Sequence, residues 1–173
     1  MKEIVLIRGQ IAIVDDEDYE RLNQYKWHIA GKGYAVREGG TQNNKRQPKI
    51  YMHREAIGVP PISMEVDHIN HNRLDNRKIN LRYCTHKQNC ANSIMKSNNT
   101  SGRKGVNWHK ASKKWRAEIR YLGKKKYLGV YNELDKASEI YDEAAKIIFG
   151  EFAVLNNIAE LAHGTGERYL EKA

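Results

Sequence analysis

A chain of 173 residues with 40% hydrophobic content is long enough for one large or two small compact cores. Its formal net charge of +9 and pI near 9.5 point to a polyanionic partner. Two cysteines exclude a disulfide scaffold and fit a reducing compartment, the opening stretch Met1 to Gln10 is broken by charge too early for a signal peptide to be expected, and no apolar run reaches the length of a membrane span.

Ile4 and Leu6, then Ile11 and Ile13, alternate around Arg8-Gly9-Gln10, which predicts a hairpin. Residues 15–25 predict a short helix whose opening acids, Asp15 to Asp18, suit the helix dipole. Trp27, Ile29, Tyr34 and Val36 predict a strand pair, and residues 39–46 a polar loop. Ile50-Tyr51-Met52 returns as a strand before His53-Arg54, and Gly58-Val59-Pro60-Pro61 forms a rigid connector.

Val66 and its neighbours predict a short strand ending at Asp67-His68. The next dozen residues are rich in Asn, Asp and Arg, which suit turns. Leu81-Arg82-Tyr83-Cys84 predicts a second strand. Thr85 then reads as an N-cap, with Gln88 completing a capping box and Asn89 on the first or second turn of a helix.

This strand-loop-strand-helix stretch resembles the nuclease motif of the HNH endonucleases, the ββα-metal fold, and is most similar to the phage and intron-encoded homing branch. The Asp67-His68 pair, Asn80 before a Leu-Arg-aromatic run, and Asn89 after the Thr cap carry the resemblance. It implies that Asp67 and Asn89 bind one divalent metal, that His68 is the general base and that Asn80 holds the loop in shape. Asn stands where the last letter of the name expects His, a variation of that branch. The chemistry agrees. An imidazole with a pKa near 6.5 is mostly neutral at pH 7–8 and accepts a proton from water. Oxygen ligands suit Mg²⁺ or Mn²⁺. Neighbours in a flat strand face opposite ways, so Asp67 and His68 require the strand to end and bend at that point. His53-Arg54 also has a counterpart in the resembling nucleases, which gives Arg54 a DNA phosphate to contact and His53 a supporting place. A structural zinc module on His68, His71, Cys84 and Cys90 is the competing reading, weakened because the cysteines lack C-x-x-C spacing.

Residues 96–102 have no apolar anchor and read as a linker. Residues 96–126 hold eleven Lys or Arg against one acid, Glu118, interleaved with Trp108, Trp115 and Tyr121. Three strands follow, over residues 104–109, 114–121 and 124–131, with a turn at Gly123. Asn132 reads as a helix cap, Leu134, Ala137, Tyr141, Ala144 and Ile148 recur at helical spacing, and Gly150 reads as the C-cap. Lys104-Gly105-Val106, Trp115-x-Ala117-Glu118-Ile119-Arg120, Leu128-Gly129-Val130-Tyr131 and the ending Ala153-Val154-Leu155-Asn156 resemble the plant-type Apetala/ethylene-response-factor DNA-binding domain. That resemblance implies that the sheet enters the major groove. The groove-facing residues would be Lys104, Asn107, His109, Glu118, Arg120, Lys125 and Tyr127, with Lys126 snorkelling from the other face. Lys and Asn replace several family arginines, so the plant target sequence does not transfer.

The expected class is α+β: a mixed nuclease domain over residues 1–95 carrying the ββα motif, a linker at 96–102, and a three-stranded antiparallel sheet packed on one helix at 103–156. A tail at 157–173 has a weak helical pattern at Ile158 and Leu161 and is expected to fray. The expected activity is site-specific cleavage of double-stranded DNA by a monomer or homodimer with one Mg²⁺ or Mn²⁺ per site, in the cytoplasm of a bacterial host, phage or prophage encoded. No membrane and no small-molecule substrate is expected. A DNA-binding regulator with an inactive nuclease domain is the alternative.

Overall fold

The computed structural model describes residues 1–42, 45–46, 48–95 and 97–156, with side chains left aside at 41, 42, 45 and 46; the expected fraying of the tail lies outside these residues. The chain divides into two compact units, Met1–Asn89 and Cys90–Ala173. Among the described residues no helix is long and apolar enough to cross a membrane.

In the first unit, β1 (Lys2–Val5) and β2 (Ile11–Val14) form the expected hairpin, with Ile4 opposite Ala12. Alternation buries Ile4, Ala12 and Val14 and leaves Glu3 and Val5 exposed. Helix α1 (Asp16–Asn23) follows. Asp15 precedes it without capping it; its carboxylate instead accepts the backbone N–H of Lys78 at 2.7 Å. Strands β3 (His28–Ile29), β4 (Ala35–Arg37) and β7 (Ile50–Tyr51) make an antiparallel sheet in the order β3-β4-β7. Between them, β5 (Thr41–Gln42) and β6 (Lys45–Arg46) pair where the sequence predicts only a polar loop. Met52, expected to end a strand, opens helix α2 (Met52–Ile57).

The ββα stretch appears as read. Strand β8 (Met64–His68) pairs antiparallel with β9 (Leu81–Thr85), and α3 (His86–Ala91) follows. The capping box is reciprocal: Thr85 N–H donates to Gln88 Oε1 at 2.8 Å, and Gln88 N–H donates to Thr85 Oγ1 at 3.3 Å. Val66 and Leu81 enter one core with Ile4, Leu6, Val14, Leu22, Trp27 and Met52. The hairpin therefore does not stand alone but rests on the N-terminal elements. The loop between β8 and β9 is also tied to β2: Ile13 N–H donates to the Leu74 carbonyl at 2.8 Å, and Asn76 N–H donates to the Ile13 carbonyl at 2.7 Å.

In the second unit, β10 (Val106–His109), β11 (Lys114–Tyr121) and β12 (Lys124–Tyr131) form an antiparallel sheet in that order, with a bulge at Ala117/Glu118. Helix α4 (Leu134–Phe149) begins two residues after the expected cap, with Glu133 at the cap position, and ends at Gly150 as expected. Val106, Ala117 and Ile119 pack against Ala137, Tyr141 and Ala145. Gly105 has φ +74, and a Cβ there would lie 1.9 Å from the Tyr141 ring, so glycine is required. Asn156 closes the unit: its side chain accepts from Lys104 N–H at 2.7 Å and donates to Asp142 at 2.9 Å. Residues 99–103 form a hydrogen-bonded loop, with Asn99 Oδ1 accepting from the N–H of Ser101 and Gly102.

Candidate active site

Asp67 and His68 are the last two residues of β8, and the pleat separates them. Cross-strand pairing sets Asp67 beside Arg82, whose Nε donates to Asp67 Oδ2 at 3.0 Å. His68 pairs with Leu81 and faces a cluster of rings: His53 lies 5.2 Å away edge-on and Tyr34 5.7 Å away, centroid to centroid. Its Nε2 lies 3.4 Å from Asn76 Oδ1. Burial lowers the His68 pKa, against the opposing pull of Asn76, Asp67 and Asp75. That direction favours the neutral imidazole, the state a proton acceptor needs. His53 is pushed down to about 3, by burial first and then by the neighbouring charges of His68 and Arg54. Its Nδ1 is buried without a hydrogen-bond partner.

Asn80 ends a 3₁₀ turn, Lys78–Asn80, and is almost fully buried. Its Oδ1 accepts Asn70 N–H at 2.9 Å, and its Nδ2 donates to the Asp75 carbonyl at 2.8 Å. The Asn80 carbonyl also accepts Ile69 N–H at 2.9 Å, so one residue fastens both ends of the loop that leaves His68. Asp75 reinforces it. Arg77 grips both carboxylate oxygens at 2.7 and 2.6 Å and, with Asn70, holds the Asp75 pKa below the usual carboxylate range.

Asn89 lies on α3, and its Nδ2 donates to Glu65 Oε2. The other Glu65 oxygen meets His86 Nδ1 at 2.9 Å. These two contacts, Asn89 first, hold the Glu65 carboxyl below its ordinary range. With its nitrogen given to Glu65, the Asn89 amide has its oxygen as the end that suits a cation. The Asp67 carboxylate, like the Asn89 amide, offers a hard oxygen of the kind that suits Mg²⁺ or Mn²⁺. Among the described residues no group of three or more His, Cys, Asp or Glu gathers into a metal cage, so the zinc reading on His68, His71, Cys84 and Cys90 is not assembled. Arg54 is exposed on α2, its guanidinium 5.5 Å from the Tyr51 ring centre.

In the second unit the register gathers Asn107, Arg116, Glu118, Arg120, Lys125 and Tyr127 on the sheet face away from Val106 and Ala117, because cross-strand partners share a face. His109 shares this face by alternation, and its Nδ1 contacts Ser112 Oγ at 2.7 Å. Glu118 is paired with Lys125 at 2.8 Å and Arg116 at 3.4 Å. Lys126 lies opposite Ile119, on the helix side, with its side chain exposed as expected. Lys104 departs from its expected place. Its ammonium donates to the carbonyls of Ala91 and Ser93 at 2.8 and 2.6 Å, and burial lowers its pKa to about 8. These two contacts tie Lys104 to the chain just before the sheet. Arg116, Arg82, Glu65 and Asn76 were not singled out from sequence. Strict alternation along β11 reveals Arg116; the other three act through partners 8 to 24 residues away.

Residues 52–91 match the HNH endonuclease family. Over 158 residues the chain is 32% identical to an uncharacterized HNH endonuclease of Acanthamoeba polyphaga mimivirus, covering 87% of this chain and 77% of that one. It is also 32% identical over 104 residues to Protein 3.8 of Escherichia phage T7, covering 60% of this chain and 85% of that one. No solved structure shows a significant match.

Proposed function

Because this chain belongs to the HNH endonuclease family, we propose that it is a site-specific, divalent-metal-dependent DNA endonuclease of homing type with His68 as general base. The observation that carries this reading is a buried imidazole at the end of β8, next in sequence to a carboxylate and at the start of a loop locked by Asn80. His68 accepts a proton as water attacks the scissile phosphorus. The new P–O bond forms as the bond to the 3′ oxygen breaks, giving 5′-phosphate and 3′-hydroxyl ends. Asp67 and Asn89 would hold a divalent ion, which would supply charge stabilisation for the transition state. Asn80 keeps the loop, and hence His68, in register. Arg54, exposed on α2, contacts a phosphate.

The second unit supplies affinity and position through its open sheet face. Asn107, His109, Arg120, Lys125 and Tyr127 meet the DNA, Arg116 joins them, and Glu118 orders the cations beside it, in keeping with the Apetala/ethylene-response-factor resemblance. Phosphate contacts hold the register while base contacts choose the site. The viral sources of the similar proteins support a phage- or virus-borne gene acting inside a host cell. One nuclease motif per chain supports a nicking monomer or a cutting dimer.

Cleavage of a mixed phage DNA library, with Mg²⁺ and with EDTA, tests the reading against His68→Ala. Discrete cuts that need the metal and fall by roughly 10²–10⁴-fold in the variant are expected. Salt-sensitive DNA binding with no cutting in Mg²⁺ or Mn²⁺ would instead favour a DNA-binding regulator with an inactive nuclease unit.

A further inference from the structure

We propose that Asn76 is a positioning residue for His68: its side-chain oxygen receives Nε2–H and so fixes the tautomer in which Nδ1 is the basic nitrogen. This rests on the reading of His68 as the base. A neutral imidazole carries one N–H and one lone pair, and the partner of one nitrogen decides the state of the other. An amide oxygen 3.4 Å from Nε2 only accepts, so the proton belongs on Nε2.

The amide is not free to turn over. Its Nδ2 donates to the Leu74 carbonyl at 3.1 Å and to Met52 Sδ at 3.4 Å. A flipped amide would set oxygen against the Leu74 carbonyl and present a donor to Nε2. The backbone is fixed as well: Asn76 N–H donates to the Ile13 carbonyl, and Ile13 pairs in parallel with Asp75. Asn76 is only 1% exposed and His68 4%, so water does not substitute easily for this contact. The N-terminal hairpin thus aims the amide, and the amide aims the base. Once His68 takes up the proton of the attacking water, both ring nitrogens are donors, and the same oxygen stabilises the imidazolium.

Two-bond ¹H–¹⁵N correlation spectra of the full-length protein at neutral pH read the His68 tautomer directly, assigned by comparison with His68→Ala. The Nε2–H form is expected in the natural chain, and the Nδ1–H form or a mixture in Asn76→Leu, which keeps the shape without the acceptor. Cleavage by Asn76→Leu is expected to lose roughly 10²-fold or more in kcat with KM for DNA unchanged. An Nδ1–H tautomer in the natural chain would overturn the proposal without needing any variant to fold. So would full kcat in Asn76→Leu while His68→Ala is inactive, an outcome that leaves the base assignment intact. Full activity in His68→Ala would instead overturn the base assignment, and the spectra would still judge the tautomer.

Discussion

Replacing Asn80 by alanine removes both side-chain hydrogen bonds that close the loop between β8 and β9. The two partners left behind differ. The Asp75 carbonyl bond is buried, so its loss costs toward the upper end of the roughly 1–3 kcal/mol for an unsatisfied group. The Asn70 N–H is part-buried and water reaches it, so its loss costs about 1 kcal/mol. The first unit should therefore lose about 3–4 kcal/mol. Native-state hydrogen exchange reads each unit separately. The amides of β8 and β9 should exchange roughly 150- to 1,000-fold faster, at about 1.4 kcal/mol per tenfold. Those of β10 to β12 should not change. Cleavage should fall in parallel, since the loop begins next to His68. Unchanged exchange in β8 and β9 would refute the claim that Asn80 locks the loop.

Other substitutions test other contacts. His53 has a folded pKa of about 3 against 6.5 for an ordinary histidine, so the unfolded chain binds more protons between those values. Stability is therefore full above about pH 6.5 and is lost as pH falls toward 3, by about 1.4 kcal/mol per unit. Melting curves of His53→Phe should show a flatter acid limb, and an unchanged limb would remove His53 as its source. Gly105→Ala meets both positive φ and the Tyr141 ring and should cost about 3 kcal/mol or more, whereas Gly123→Ala, at φ +77 with nothing within 4 Å, should cost only about 1. Equal effects on β10–β12 exchange would show that the clash is relieved. On DNA, Arg120→Ala should lower the salt slope of binding by about one unit, while Lys104→Met should leave it alone and destabilise the second unit. A salt slope lowered equally by both would return Lys104 to the DNA face.

Local patterns set most of the elements. Alternation marked β1 and β11, because period-two burial is written in consecutive residues, whereas β2 buries Ala12 and Val14 and turns Ile11 outward, the face opposite to the one expected. Thr85 and Gln88 announce α3 because a capping box spans only four positions. The ββα stretch was legible for the same reason: its strands, loop and cap are contiguous. The pairing of β5 with β6 was not, since a polar composition carries no register. Met52 reads as a strand residue by its neighbours and opens a helix instead, with its side chain fully buried in the core.

Partner choice belongs to the tertiary structure. The sequence puts Asp67 beside His68, but only the folded hairpin gives Arg82 to one and Asn76, His53 and Tyr34 to the other. Lys104 has the residue type of a DNA contact, yet two carbonyls at Ala91 and Ser93 take its ammonium. Asn76 reads as one more turn residue until β2 docks its backbone and its amide meets His68. Residue type and spacing determine which chemistry a chain carries and which local elements it forms. Which hydrogen-bonding group each side chain meets is decided by contacts between distant segments, where burial makes every unmatched polar atom costly.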